Sequence, residues 1–309
     1  MSKSNIRSYF KQLYFETLLG RILIHPFKWV YELYFFNPIQ DKKYLQKKYK
    51  SIFDSELNLK YPSTLNEKIQ WLKLNQRSNL MTLCADKYAV RKYIKRQIGE
   101  EYLIELVFCT TNSKDITAEN LPNTPFVIKT NHDSGNVFIV RDKRKVDWIY
   151  IRKQLTISLR NNYYHDSREW QYKNIKPCII VEELLQDQDE NILSDIKFCC
   201  INGRVEVIHV DSNKEVEHLR NNYSRDWQPL ELAWPRDKKP GNVTDKPSNL
   251  NKLIELAETL AKPFEFVRID FYVDDEKIYF GEITFHPTSG FGPMEPPKYD
   301  EYLGKKLII

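Results

Sequence analysis

The segment Phe266–Phe285, FVRIDFYVDDEKIYFGEITF, constrains the fold more than any other stretch of this chain. Two runs of alternating apolar and polar residues flank the polar turn Asp274–Lys277, the pattern of a β-hairpin. Side chains alternate between faces along a strand, so the register decides which residues meet. A five-residue connection, Asp274–Ile278, sets Val267, Ile269, Phe271 and Val273 opposite Phe285, Ile283, Gly281 and Tyr279 on an apolar face. The other face then carries Arg268 opposite Thr284 and Asp270 opposite Glu282. Directly opposed residues have Cβ atoms ~5 Å apart. Two carboxylates that close repel unless a cation or a proton lies between them. Oxygen ligands of this kind suit a hard divalent ion such as Mg²⁺. The alternative is a solvent-facing polar face laced with an Arg–carboxylate pair.

The 309 residues suffice for two domains, or for one large α/β body with an appendage. Glycine is scarce, at nine residues, and neither GxxxxGK[ST] nor GxGxxG occurs, which argues against long glycine-rich phosphate loops. Five cysteines without a CxxC pair, and no secretory signal, point to a reduced, cytosolic chain lacking a disulfide framework or structural zinc. Charge is uneven. Residues 1–50 hold ten Lys or Arg against three acids, a net of +7, whereas the remainder holds 37 against 39. The same fifty residues contain 12 of the 41 aromatics. Lys3, Arg7 and Lys11 recur beside Ile6, Phe10 and Leu13, the spacing of a basic amphipathic helix. No run reaches the ~20 apolar residues of a membrane span. The segment fits peripheral contact with an anionic membrane surface, or a helical pair packed on the body or on a partner. Nucleic acid is not favoured, because no nucleic-acid motif accompanies the basic patch.

The periodicity predicts helix over residues 1–38 with Pro38 as a stop, and mostly helix over 41–100. Ser63 or Thr64 caps LNEKIQWLKL with Glu67 placed for a capping box, and a further helix covers CADKYAVRKYIKRQI. Strand-like runs follow at 125–130, 136–140, 178–185, 195–200 and 204–210, with Asn202-Gly203 as a tight hairpin turn. Helices are expected over 144–162 and 248–262, and Asp211–Pro247 as an irregular loop over the sheet. The architecture expected is α+β: a basic aromatic helical segment (1–40), a mostly helical domain (41–125) and an antiparallel-rich domain (126–309) with lobes at 126–181 and 182–309.

Several residues could carry chemistry. Lys129 closes the run PFVIK beside the loop Thr130–Asn136, where a lysine and backbone N–H groups can share a phosphate; in isolation an ordinary hairpin with an exposed lysine is the simpler reading. Glu182 and Glu183 end the run CIIVEELL, either beside a polar ligand or where the strand meets solvent. Asp195 and Lys197 share a strand face and read in isolation as a solvated ion pair. Asp187-Gln188-Asp189 matches the short DxD metal motif of many glycosyltransferases. His132 and His286 flank these places as local hydrogen-bond partners rather than bases. No HExxH or GxSxG occurs.

Taken together, LNEKIQWLKL, CADKYAVRKYI, FVIKTNHDSGNVFIV, VEELL, DIKFCCINGRV, VRIDFY and GEITFHPTSGFG resemble the TupA-like ATP-grasp family, over about residues 60–305. The resemblance implies an ATP-grasp fold, two α+β lobes holding ATP between antiparallel sheets, with ATP and Mg²⁺ bound. It implies that Lys129 contacts phosphates and that the loop Asn131–Asn136, with Ser134 and Gly135, closes over them. Glu182, Glu183 and Leu184 would form the hinge at adenine, Asp195 would meet the ribose, and Lys197 and Lys87 would add nucleotide contacts. Arg268 would steady the transferring phosphoryl group, and Asp270 and Glu282 would bind metal. Thr284 stands where the family's third ligand is Asn, a weaker donor at that position.

The activity implied is an ADP-forming carboxylate–amine ligase, acting through an acyl phosphate to join an amino acid or peptide to a uronic acid of a cell-surface polysaccharide. The partners implied are ATP, a carboxylate acceptor and an amine donor, at the cytoplasmic face of the membrane. A kinase on the same fold, a glycosyltransferase using Asp187 and Asp189, and a nucleotide-binding scaffold without turnover are the rival expectations.

Overall fold

The computed structural model describes residues 30, 32–189, 191–193, 195–212, 218–274 and 277–309. Most of the basic aromatic segment, including Lys3, Arg7 and Lys11, thus lies outside the described residues. Two antiparallel sheets organise the rest, and the class is α+β as expected.

Helix α1 spans Pro38–Phe53. Pro38 opens this helix rather than stopping the one before it: Asn37 is the N-cap, its side chain accepting from Ile39 N and Gln40 N. Proline suits the first turn, where its missing N–H has no helical partner anyway. Helix α2 (Leu65–Asn75) starts with the anticipated capping box between Thr64 and Glu67. The single helix expected over 84–98 is two, α3 (Asn79–Ala85) and α4 (Val90–Gln97). Asp86 breaks it, because its carboxylate accepts from Tyr88 N and Ala89 N, offering the backbone a local turn instead.

The first sheet has the order β1-β4-β2-β3, from β1 (Leu106–Thr110), β2 (Phe126–Thr130), β3 (Phe138–Val140) and β4 (Ile179–Glu183). Strand β1 was not anticipated. One face of this sheet, through Phe126, Ile128, Ile179 and Val181, packs on Ile151 and Leu155 of helix α5 (Trp148–Arg160). The opposite face carries Val127, Lys129, Ile180 and Glu182.

A four-residue helix, α6 (Tyr164–Ser167), precedes β4 in the chain, and beyond β4 comes the second sheet, of order β7-β6-β5-β8-β9. Its strands are β5 (Asp195–Ile201), β6 (Arg204–Ser212), β7 (Leu219–Tyr223), β8 (Phe266–Asp274) and β9 (Lys277–Thr284). Asn202 and Gly203, both at positive φ (48° and 77°), turn β5 into β6 as the dipeptide predicts. Strand β7 interrupts the stretch expected to be irregular.

The two faces of this sheet differ, and the difference builds the site. Phe198, Cys200, Val267, Ile269, Phe271 and Ile283 pack on helix α7 (Leu250–Ala261). On the other face, Cys199, Ile201, Val207 and Phe266 pack under α2 and the C-terminal helix α8 (Lys298–Lys306), which supplies Leu303. That cover ends midway along the strands. Beyond it the same face presents Asp195, Lys197, Arg268, Asp270, Glu282 and Thr284.

Candidate active site

The register of β8 against β9 pairs Arg268 with Thr284, Ile269 with Ile283 and Asp270 with Glu282, as the alternation predicts. Nearer the turn it departs: Phe271 pairs with Phe280 and Asp274 with Lys277, so the expected five-residue connection is shorter by a register step. The extra residue is Gly281, which forms a bulge. A Cβ there would lie 3.0 Å from Asp270 O and 3.1 Å from Tyr272 Cε2, so the close approach of backbone and ring needs glycine.

Arg268 donates from Nε to Asp270 Oδ1 and from Nη2 to Asp270 Oδ2, each at 2.7 Å, and from Nη2 to Thr284 Oγ1 at 3.2 Å. Lys197 reaches Asp270 at 3.1 Å and Asp211 at 3.6 Å, and bonds Asp195. Asp195 and Lys197 are buried, at 5% and 7% exposure, so the solvated-pair reading is corrected. Their partners lie on neighbouring strands, which the sequence of one strand does not show. Arg220 in turn grips Asp211 with bonds of 2.5 and 2.8 Å. Burial works against an ionised Asp270, but the charge of Arg268, then that of Lys197, outweighs it and holds the carboxyl down at about 2. The same opposition at Asp211, burial against Arg220, leaves its carboxyl far below the usual range. Arg268 is held well above its ordinary value, since Asp270 outweighs its own burial.

Across the molecule, Lys129 Nζ lies 2.5 Å from Glu182 Oε2, on the sheet face turned away from α5. Arg91 of α4 lies 3.6 Å from the other oxygen of Glu182. Two side chains tie this group to the second sheet. Lys87, in the turn between α3 and α4, donates to Asp133 O at 2.5 Å and lies 3.5 Å from Glu282 Oε1. Tyr272 stands over the bulge; burial pushes its phenol up, and Asp270, Glu282 and Glu182 push the same way.

The loop expected to close as a lid is half fixed. Asn131 donates to Asp86 and to Lys176 O and accepts from Cys178 N, and His132 contacts Ser158 O and Asn161 O. Asn131, His132 and Asp133 are buried, whereas Ser134, Gly135 and Asn136 are exposed. The exposed part is Ser134–Val137, in which Asn136 Nδ2 donates to Ser158 Oγ at 2.7 Å and Gly135, at φ 120°, has open space around it.

The structure thus gathers Lys87, Asp195, Lys197, Arg268, Asp270, Glu282 and Thr284 at the second sheet, and Lys129 with Glu182 at the first. Glu183 sits exposed at the end of β4 and its N–H donates to Glu105 O; the N–H of Leu184 donates to Pro125 O. Asp187 and Asp189 lie in an exposed turn, where Asp187 Oδ1 accepts from the N–H of Asp189 and of Asn191. His286 is buried with Nδ1 against Glu169 and Gln171. Arg91, Asp211, Arg220 and Tyr272 were not anticipated. Asp211 had one readable signal, as the polar end of the alternating run RVEVIHVD.

Among the described residues no group of three or more His, Cys, Asp or Glu forms a metal cluster. The donors that fit a hard cation are the opposed carboxylates of Asp270 and Glu282, all oxygen and anionic, with the Thr284 hydroxyl on the same face. Three cationic side chains, Arg268, Lys197 and Lys87, converge on these two carboxylates and offset their charge.

A profile of the TupA-like ATPgrasp family matches residues 67–308. The chain therefore belongs to the TupA-like ATP-grasp family. No curated protein matches it. Among solved structures it is similar to D-alanine–D-alanine ligase from Bacillus anthracis, at 16% identity, 67% of this chain, 59% of that chain and a TM-score of 0.41. The corresponding ligase from Helicobacter pylori gives 14%, 79%, 67% and 0.43. Biotin carboxylase from Campylobacter jejuni gives 17%, 73%, 46% and 0.39. The chain spans 59% of the length of the first of these, and likeness at this level says nothing of substrate. Among the described residues no helix is long and apolar enough to cross a membrane.

Proposed function

We propose that this chain is an ADP-forming carboxylate–amine ligase that holds ATP between its two sheets. The observation that carries the reading is the pairing of Asp270 with Glu282 in register, ringed by Arg268, Lys197 and Lys87, with Lys129 and Glu182 approaching from the other sheet. Lys129 takes the phosphates, Ser134 and Gly135 cover them, Glu182, Glu183 and Leu184 border the adenine, and Asp195 and Lys197 border the ribose and phosphates.

In the first step an acceptor carboxylate oxygen attacks the γ-phosphorus, the bond to the bridging oxygen breaks and ADP leaves. In the second, an amine attacks the acyl carbon, inorganic phosphate leaves and the nitrogen loses a proton. Arg268 and Lys129 stabilise charge that develops on the phosphoryl oxygens, and they need no reorganisation because their partners already fix them. Mg²⁺ bound at Asp270 and Glu282, with Thr284 as a weaker third donor, would offset phosphate charge during transfer.

The acceptor we infer is a uronic acid of a cell-surface polysaccharide, and the donor an amino acid or short peptide. Family membership is what supports this. The basic N-terminal fifty residues support a cytoplasmic protein working at the membrane's inner face. The glycosyltransferase reading has no support in the geometry, since Asp187 serves its own turn.

Thermal unfolding with ATP, with and without Mg²⁺, tests the nucleotide site. A ligand at one hundred times its Kd stabilises by ~2.7 kcal/mol. A Mg²⁺-dependent rise in wild type that Asp270→Asn lacks is the expected result; no rise in wild type overturns the reading. Hydroxamate formation from uronic acids, ATP and hydroxylamine then separates a ligase from a kinase, because only an acyl phosphate yields a hydroxamate.

A further inference from the structure

We propose that the outward face of α1, with the residues leading into it, docks on a bilayer surface containing anionic lipid. This rests on the peripheral-membrane reading above and assigns it to particular side chains.

Between Leu33 and Phe53 there are five lysines, Lys42, Lys43, Lys47, Lys48 and Lys50, and one acid, Asp41. Asp41 is buried: its Oδ2 accepts from Tyr164 OH at 2.6 Å and its Oδ1 lies 3.7 Å from Arg168. Leu45 and Tyr49, one and two turns on, are buried with Leu57 and Phe291. That face pins the helix to the body. The residues opposite, Ile39, Lys43, Lys47 and Lys50, recur at helical spacing and are all exposed, with Lys42 beside them. Among the described residues, Lys50 alone of these reaches an acid, the exposed Glu56.

Ahead of this stripe lie Val30, Leu33, Tyr34 and Phe35, which with Ile39 make five exposed large apolar side chains within ten residues, Leu33 at 63% and Ile39 at 67%. A single exposed leucine needs no account, but this grouping does. Basic side chains flanking apolar and aromatic ones are what an interfacial helix presents: the apolar groups enter the headgroup region while lysines remain at the anionic surface. Residues 1–29 add five basic residues and one acid in sequence, of the same sign. The apolar side chains distinguish a bilayer from a nucleic acid, which would leave Leu33 and Ile39 in water.

The orientation has a consequence for the site. The inner face of α1 contacts Phe291, midway along the segment that joins β9, which carries Glu282, to α8. Docking through the outer face holds that segment one helix diameter, ~10 Å, from the lipid surface. An acceptor tethered to the membrane would meet the enzyme at that place.

The test is flotation of the full chain with vesicles of phosphatidylcholine alone, or of phosphatidylcholine with phosphatidylglycerol. Wild type should float only with the anionic vesicles and release as salt shortens the screening length. Lys43→Glu with Lys47→Glu should weaken flotation at least about tenfold, and Leu33→Ser with Ile39→Ser should also weaken it. Retention of the ATP-induced thermal shift in both double variants would show that the fold is intact. Undiminished flotation of both overturns the assignment to α1 while leaving peripheral binding to residues 1–29. No flotation of wild type on anionic vesicles overturns the peripheral reading and this inference together, and so does displacement onto RNA or self-association that covers the face. None of these results bears on the ligase reading.

Discussion

Arg268 and Asp270, two residues apart on β8, are joined by two parallel hydrogen bonds of 2.7 Å in a nearly dry setting. Parallel guanidinium–carboxylate bonds fix both planes, so each side chain is held in one orientation. Asp270 also receives Lys197 at 3.1 Å. Removing its charge leaves two buried cations short of a partner. Asp270→Asn should therefore destabilise the fold by about 3 kcal/mol as well as abolish the Mg²⁺-dependent ATP shift. Urea unfolding of the two proteins measures the first effect; equal midpoints would contradict it.

Acid should act through the same group. An unfolded aspartate titrates at ~3.9, while Arg268 holds Asp270 at about 2 in the fold. On acidification the unfolded chain thus takes up the proton first. The stability Asp270 contributes is complete above about pH 4 and is lost as pH falls toward about 2. Asp211, held low by Arg220, adds to the same loss. Urea midpoints should fall through this window in wild type, and less steeply in Asp270→Asn.

How much of this was legible varies by residue. The facing of Asp270 and Glu282 was readable because apolar and polar residues alternate on both strands, which fixes register wherever one face is buried. The bulge was not, because Tyr279 and Ile278 are both acceptable opposite Val273 and only the packing of Tyr272 on Gly281 selects between them. The burial of Lys197 was hidden because its partners Asp270 and Asp211 come from β8 and β6, far apart in sequence. The cap at Thr64 is legible because its partner Glu67 lies three residues on. The break at Asp86 is local too, but a helical hydrophobic pattern ran across it. Strand β1 completes a sheet whose other members follow it in sequence, and nothing within LVFCT shows that pairing.

Gly281 offers a separate test of the bulge. A methyl group there would press on Asp270 O and the Tyr272 ring at about 3 Å. Gly281→Ala should cost 1–3 kcal/mol, roughly the usual penalty for overpacking. It should also weaken the Mg²⁺-dependent ATP shift, because Glu282 is the next residue. A variant as stable as wild type with an unchanged shift would mean that the strands accept the expected five-residue connection.

Lys73 makes the opposite kind of prediction, on the alkaline side. It is 1% exposed on α2 and donates to Ser289 O at 3.0 Å and Ser289 Oγ at 2.9 Å. With Gln70 it holds the carbonyls of a turn in which Thr288, Ser289 and Gly290 all have positive φ. Burial pushes its ammonium down to about 7, with Glu169 opposing. An unfolded lysine titrates at ~10.4, so between about pH 10 and 7 the unfolded chain binds a proton that the folded one refuses. Stability from this residue therefore declines as pH falls through that range and is level below it. Wild type should gain in urea midpoint from pH 7 to about pH 9, and Lys73→Met should lose that gain. If the two proteins keep the same slope, Lys73 is charged in the fold, and the turn after β9 is held by an ammonium rather than by an amine.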